Sequence, residues 1–347
     1  MFSKLVGNEH IKHTLRHLLA NGRVPNAMLF AGDDGIGKQQ FALELARAFI
    51  CAEPTDGEAC GVCAGCGRVD TFAIPEPNDK NKDDFKKVFF GEHLDVGKVV
   101  TYKRTIFVDA IRDLERNANF RPYEAKARFF IIDEADKMND ESSNALLKTL
   151  EEPPSTSHIF LISSRPDSLL PTVRSRCQTL RFAPVETESI EKFLIEERAF
   201  SHDEAKLAAR LSRGSIGRAV SVNVKEFRSR RERMLAVISN SIETGDRAAL
   251  LRIAEEMNDA KNRDAFEENL DILQSLIHDV WTLRFSGDAA RVVNADLADK
   301  LTLLAEDAGS ADLSAWIAAI DKIRLDLTVN INKKIAADAL FVTMASG

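Results

Sequence analysis

A glycine turn that runs into a lysine is the first part of the chain that could do chemistry. Gly32-Asp33-Asp34-Gly35-Ile36-Gly37-Lys38-Gln39 follows the apolar run Met28-Leu29-Phe30-Ala31 and precedes a helical pattern carrying Phe41, Leu45, Ala48 and Phe49. In that order, Gly32, Gly35 and Gly37 let backbone N–H groups close around phosphate oxygens, and the helix N-terminus adds partial positive charge. Lys38 would neutralise the terminal phosphates. A tight turn with a solvated lysine is the plain alternative; the strand before and the helix after speak for a phosphate loop. Gln39 stands where a Ser or Thr hydroxyl would normally ligate Mg²⁺, and a long amide suits octahedral magnesium poorly. ATP with Mg²⁺ is therefore in question, although phosphate binding can survive.

Ile131-Ile132-Asp133-Glu134-Ala135-Asp136 would supply the other half of such a site. Carboxylates at the C-terminal end of a buried parallel strand sit where open α/β sheets bind ligands. Asp133 would hold the metal, directly or through water, and Glu134 would orient an attacking water. Ser163-Ser164-Arg165 ends a further apolar run and would bring Ser164 near the terminal phosphate.

A second kind of chemistry lies just downstream. Cys51, Cys60, Cys63 and Cys66 are separated by eight, two and two residues, with Gly57, Gly61, Gly65 and Gly67 easing the turns. Four thiolates at such spacing hold Zn²⁺ tetrahedrally and leave no open position, so the expected role is structural. Buried free thiols are the alternative, for which the intervening small residues offer little core.

The elements that must position these groups change character along the chain. Up to residue 183, apolar runs at 28–31, 129–132 and 159–162 alternate with helical patterns, and 179–182 adds a further candidate strand. Strands apolar on both faces imply a parallel sheet covered by helices. Ser142 to Glu152 reads as a helix stopped by Pro153-Pro154. Residues 184–221 read as a small helical lid, and 74–87 as a mobile insertion. No proline follows Pro184, and Leu235-Ile238-Ile242, Phe266-Leu270-Leu273-Ile277 and Trp316-Ile320-Ile323-Leu327 recur at helical spacing, so 222–347 is expected to be an all-α bundle. A net charge of −7 argues against charge-driven coating of DNA. The run Lys225-Arg228-Arg230-Arg231-Arg233, interrupted by Glu226 and Glu232, reads as a solvated helix face. No apolar stretch is long enough for a membrane span or forms a leader at the N-terminus, so a cytoplasmic protein with reduced cysteines is expected.

Together these residues resemble the AAA+ clamp loader subunits of bacterial DNA polymerase III. The resemblance rests on Gly32 to Lys38, the four-cysteine module at 51–66, Ile132 to Asp136, Asn144-Ala145-Leu146-Leu147-Lys148-Thr149-Leu150-Glu151-Glu152-Pro153-Pro154 and Val173-Arg174-Ser175-Arg176-Cys177. It implies an AAA+ P-loop domain over 1–183, a helical lid over 184–221 and a helical collar over 222–347. It also implies partners: the gamma/tau and delta subunits, the sliding clamp and primed DNA. In this family the arginine of the Ser-Arg-Cys motif reaches a neighbour's ATP site, which makes Arg176 the arginine-finger candidate, with its charge partner expected across a subunit boundary. Gln39, the absence of an opening Arg-Pro segment and the lack of a long C-terminal extension favour a subunit with little ATPase activity of its own. The alternative is an ATP-hydrolysing, gamma/tau-like motor using Lys38, Asp133 and Glu134.

Overall fold

The computed structural model describes residues 1–257, 265–287, 291–327 and 332–345. It divides into two compact units, Met1–Ser221 and Val222–Gly347.

The first unit is built on six strands: β1 (Ala27–Ala31), β2 (Phe89–Phe90), β3 (Val96–Val99), β4 (Arg128–Ile132), β5 (Ser157–Ser163) and β6 (Gln178–Arg181). They lie in the order β2-β3-β4-β5-β1-β6, parallel throughout except for the short edge strand β2. Side chains alternate between faces, and each face has its own helical cover. Met28 and Phe30 of β1 pack with Phe129, Phe160 and with Phe41 and Leu45 of α2 (Lys38–Ile50), behind α1 (Glu9–Ala20). Leu29 faces the other way, with Phe130, Ile132 and Leu161, toward α4 (Val108–Ala118) and α5 (Asp140–Glu151). The Asn139 side chain caps α5 by accepting the Ser142 N–H at 2.9 Å, and Pro153 follows its end. Single-turn helices α3 (Ala64–Gly67) and α6 (Pro171–Arg174) sit in the cysteine module and before β6. Helices α7 (Thr187–Arg198), α8 (His202–Leu211) and α9 (Ile216–Ser221) complete this unit.

Strands β2 and β3 are not evident in the sequence because β2 is two residues long and β3 carries Gly97 and Lys98. The segment expected to be a mobile insertion is instead anchored. Phe85 is 2% exposed, packed edge-on against Phe89 and Tyr102, and Asp79 accepts hydrogen bonds from the Tyr102 hydroxyl and Lys103. Burial of the Phe85 ring, worth about 1.5–3 kcal/mol, offsets part of the cost of ordering this segment.

His158 in β5 is buried, stacked on Phe129 at 5.2 Å, with Nδ1 at 3.0 Å from the Pro25 carbonyl. Burial lowers its pKa from 6.5. The unfolded chain thus binds the proton first, and stability is lost as pH falls through about 6.5 toward the depressed native value. Melting temperature should drop over that window, and His158→Phe should flatten the profile. An unchanged acid slope in the variant would exclude His158 as a source.

The second unit consists of α10 (Val224–Glu243), α11 (Arg247–Met257), α12 (Phe266–Ser286), α13 (Ala298–Asp307), α14 (Ser310–Leu327) and α15 (Lys333–Met344). Leu235, Ile238, Phe266, Leu270, Leu273, Ile277, Trp316, Ile320 and Ile323 meet in one core, with Ile242 and Leu327 at its margin. Within the basic run of α10, Arg231 is turned inward to Asn294 and Asp296, and Arg230 pairs with Glu226 and Glu268. No described helix is long and apolar enough to cross a membrane.

Candidate nucleotide cleft and cysteine metal centre

Gly35, Gly37, Lys38, Gln39 and Asp133 line one cleft of about 560 Å³ at the C-terminal edge of the sheet. Gly35 and Gly37 sit at φ +75° and +96°, backbone that side-chain-bearing residues rarely adopt, so the glycines are required for the turn. Lys38 opens α2 and folds back over the loop, its Nζ donating to the carbonyls of Gly32 (2.5 Å) and Asp33 (2.6 Å). Burial pushes its ammonium pKa down, opposed by the carboxylates of Asp34, Asp133, Asp33 and Asp136. Gln39 occupies the first turn of α2 and lines the cleft.

The acidic residues are more occupied than the sequence suggests. Asp133 Oδ2 pairs with Lys98 of β3 at 2.9 Å. Glu134, expected to orient water, stands outside the cleft lining, its carboxylate accepting from Thr101 Oγ1 (2.6 Å) and paired with Lys137 (2.9 Å). Although burial works the other way, those partners hold its pKa below the usual carboxylate range. Ser164, expected near the terminal phosphate, also lies outside the lining. Its backbone N–H reaches Asp136, which in turn takes the Ser163 hydroxyl at 2.8 Å.

The lid closes on the loop from the other side. Gly217 N–H donates to the Gly35 carbonyl at 2.8 Å, and a Cβ on Gly35 would meet Ser215 Oγ at 2.3 Å. Leu5, Val6, Phe193, Ile216 and Val220 add an apolar wall suited to a flat ring. Neither this wall nor Lys98 emerges from the sequence reading. A lysine inside the run Val96-Gly97-Lys98-Val99-Val100 was the available signal for Lys98.

Arg176 is on the surface just beyond α6. Its charge partner is within the chain: Glu151 at the end of α5 lies 2.6 Å away, and the Thr172 carbonyl accepts from Nη1 at 2.9 Å.

The four cysteines converge. Their sulfurs all lie within 4.8 Å of one another, and Cys60 and Cys66 are 4.0 Å apart. A tetrahedral ion with ~2.3 Å metal–sulfur bonds needs edges of ~3.8 Å, so small adjustments complete the shell. Backbone N–H groups of Cys60 and Cys63 point at the sulfurs of Cys51 (3.2 Å) and Cys60 (3.4 Å). Hydrogen bonds from the backbone N–H groups of Ala52 and Cys66 lower the Cys63 thiol to about 6, while burial pushes Cys66 up to about 12. The cluster can hold a metal ion. Arg47 Nε ties it to α2 through the Cys66 carbonyl at 3.0 Å.

A parallel sheet with a glycine loop at its edge, a helical lid and a separate helical bundle make this an AAA+ P-loop protein. More narrowly, the chain belongs to the DNA polymerase III delta subunit family, whose model matches residues 7–186, with the family's C-terminal model matching 225–341. It is 28% identical to DNA polymerase III subunit delta' of Escherichia coli over 90% of this chain and 87% of that protein. Against subunit delta' of Bacillus subtilis it is 27% identical, over 96% and 94%. It is also 30% identical to E. coli subunit tau, but over 64% of this chain and only 32% of tau.

Proposed function

We propose that this chain is a clamp loader subunit that turns over little ATP itself and acts on its neighbours in the ring. The observation that carries the reading is similarity to delta' subunits over 90–96% of this chain, where the similarity to tau covers 64% of this chain and 32% of tau. In this reading the collar over 222–347 joins the chain to gamma/tau and delta subunits, and Arg176 reaches a neighbour's ATP site. The assembly then helps to load a sliding clamp onto primed DNA. The cleft takes nucleotide phosphates through Lys38 and the loop amides. Magnesium fits the donor set badly, since Gln39 brings an amide in place of a hydroxyl and Asp133 is bonded to Lys98. Mixing the purified chain with the other subunits should yield one complex on gel filtration. Its failure to co-elute under any nucleotide condition would overturn the reading.

Zinc is the ion this all-thiolate shell favours, and when bound it would hold the 51–66 module together. Protein purified without chelator should contain one zinc per chain. Cys63→Ser should lose most of it while the far-ultraviolet circular dichroism of the α/β core persists, because the module's Cys51, Ala59 and Cys66 are a small part of the cluster on one face of the sheet and absent from that on the other. Zinc-free wild-type protein, freshly prepared and reduced, would refute this.

A further inference from the structure

The carboxylate that should receive a divalent cation in the cleft is already bonded to a cation of the chain itself. Lys98 is inside β3 and only 7% exposed. In the parallel register it pairs with Ile131, so it shares a face with Asp133 two residues further on. From there its Nζ lies 2.9 Å from Asp133 Oδ2, while Asp133 Oδ1 accepts the Glu134 N–H at 3.1 Å. Both oxygens of Asp133 are thus engaged within the chain. A buried ammonium is costly unless paired, and an aspartate beside a phosphate pocket repels phosphate unless neutralised. One contact answers both demands. Magnesium instead requires an octahedron of oxygens at ~2.0–2.1 Å.

We propose that Lys98 is a built-in counter-cation: its ammonium holds the place of the divalent ion on Asp133, so that the cleft takes the phosphate chain of a nucleotide without Mg²⁺. This rests on the nucleotide reading of the cleft, and it assigns to β3 a specificity-determining residue that touches the acid rather than the phosphate. Removing the ammonium frees the carboxylate, which should then repel phosphate in the absence of metal and recruit a metal when one is offered.

Two titrations of the full chain test it. ATP is titrated calorimetrically with excess Mg²⁺ and with EDTA, and Mn²⁺ is titrated without nucleotide and followed by electron paramagnetic resonance. Wild-type affinity for ATP should differ by no more than about twofold between the two conditions, and the protein should show no Mn²⁺ site that Asp133→Asn removes. Lys98→Met should bind ATP about tenfold more tightly with Mg²⁺ than with EDTA, a difference of about 1.4 kcal/mol. It should also gain one Mn²⁺ site, and Lys98→Met/Asp133→Asn should abolish both gains. Lys98→Gln replaces the methionine variant if that one fails to fold. Wild-type affinity that rises more than about tenfold with Mg²⁺ would overturn the proposal, as would a neutral variant that gains neither metal dependence nor a Mn²⁺ site. Absence of ATP binding by wild type in both conditions would refute the nucleotide reading. The Mn²⁺ arm then still decides whether Lys98 holds the cation's place.

Discussion

Arg176→Ala should depress ATP hydrolysis by the assembled complex while leaving the folding, metal content and nucleotide affinity of this chain nearly unchanged. The expectation follows from the proposed role of Arg176 at a neighbour's site, where a planar, permanently charged guanidinium suits charge developing on a transferring phosphoryl group. An arginine supplied in trans is worth ~10³–10⁵ in rate, or roughly 4–7 kcal/mol of barrier. Against that stands the ion pair that holds Arg176 in the isolated chain. Arg176 and Glu151 are 34% and 49% exposed, and surface pairs of this kind contribute about 0–1 kcal/mol, so Glu151 can release the arginine cheaply. Glu151→Ala is therefore the matched control and should leave hydrolysis intact. The loss in Arg176→Ala should be partial, since a loader has several sites and one finger is missing, unless the sites fire in obligatory order. Arg176→Lys should fail similarly, because a point charge cannot reproduce the fork. Equal steady-state hydrolysis by wild-type and Arg176→Ala complexes, stimulated by DNA and clamp at matched assembly, would remove Arg176 from the mechanism.

Removal of residues 222–347 should release the chain from its complex. The bundle has a core of its own, to which α10 to α15 all contribute among the described residues, and the 1–221 unit keeps both faces of its sheet covered without it. Truncation should thus leave a folded α/β unit, verifiable by circular dichroism and a cooperative melt, that no longer co-elutes with partner subunits. Exposed Leu303 and Ile335 on the bundle are apolar positions outside its core cluster. Retention of the folded 1–221 fragment in a stable complex would contradict assembly through the collar.

The elements that place the two sites were legible where local chemistry alone demands them. Three apolar runs near 30, 130 and 160 became β1, β4 and β5 because a strand buried on both faces is built mainly from apolar residues. Proline-free stripes at three- and four-residue spacing became the bundle helices, since that period puts apolar side chains on one face. The glycine turn was legible because a positive φ at Gly35 and Gly37 admits few other residues. The convergence of Cys51, Cys60, Cys63 and Cys66 was legible because short gaps bring thiols together whatever the rest of the fold does.

Contacts between distant segments were not legible. The sequence identifies Asp133, Glu134 and Arg176 as chemically competent. It is silent on Lys98, Thr101 and Glu151, the groups that engage them. The same holds for Gly217 on the Gly35 carbonyl and for Phe85 against Tyr102 in a stretch that reads as loose. Residue type and spacing by themselves determined which groups can bind phosphate or metal, because those capacities are local. Which of those groups remain free to do so was decided only by tertiary structure, because an ion pair depends on two side chains meeting in space, and that meeting is set by strand register and helix packing.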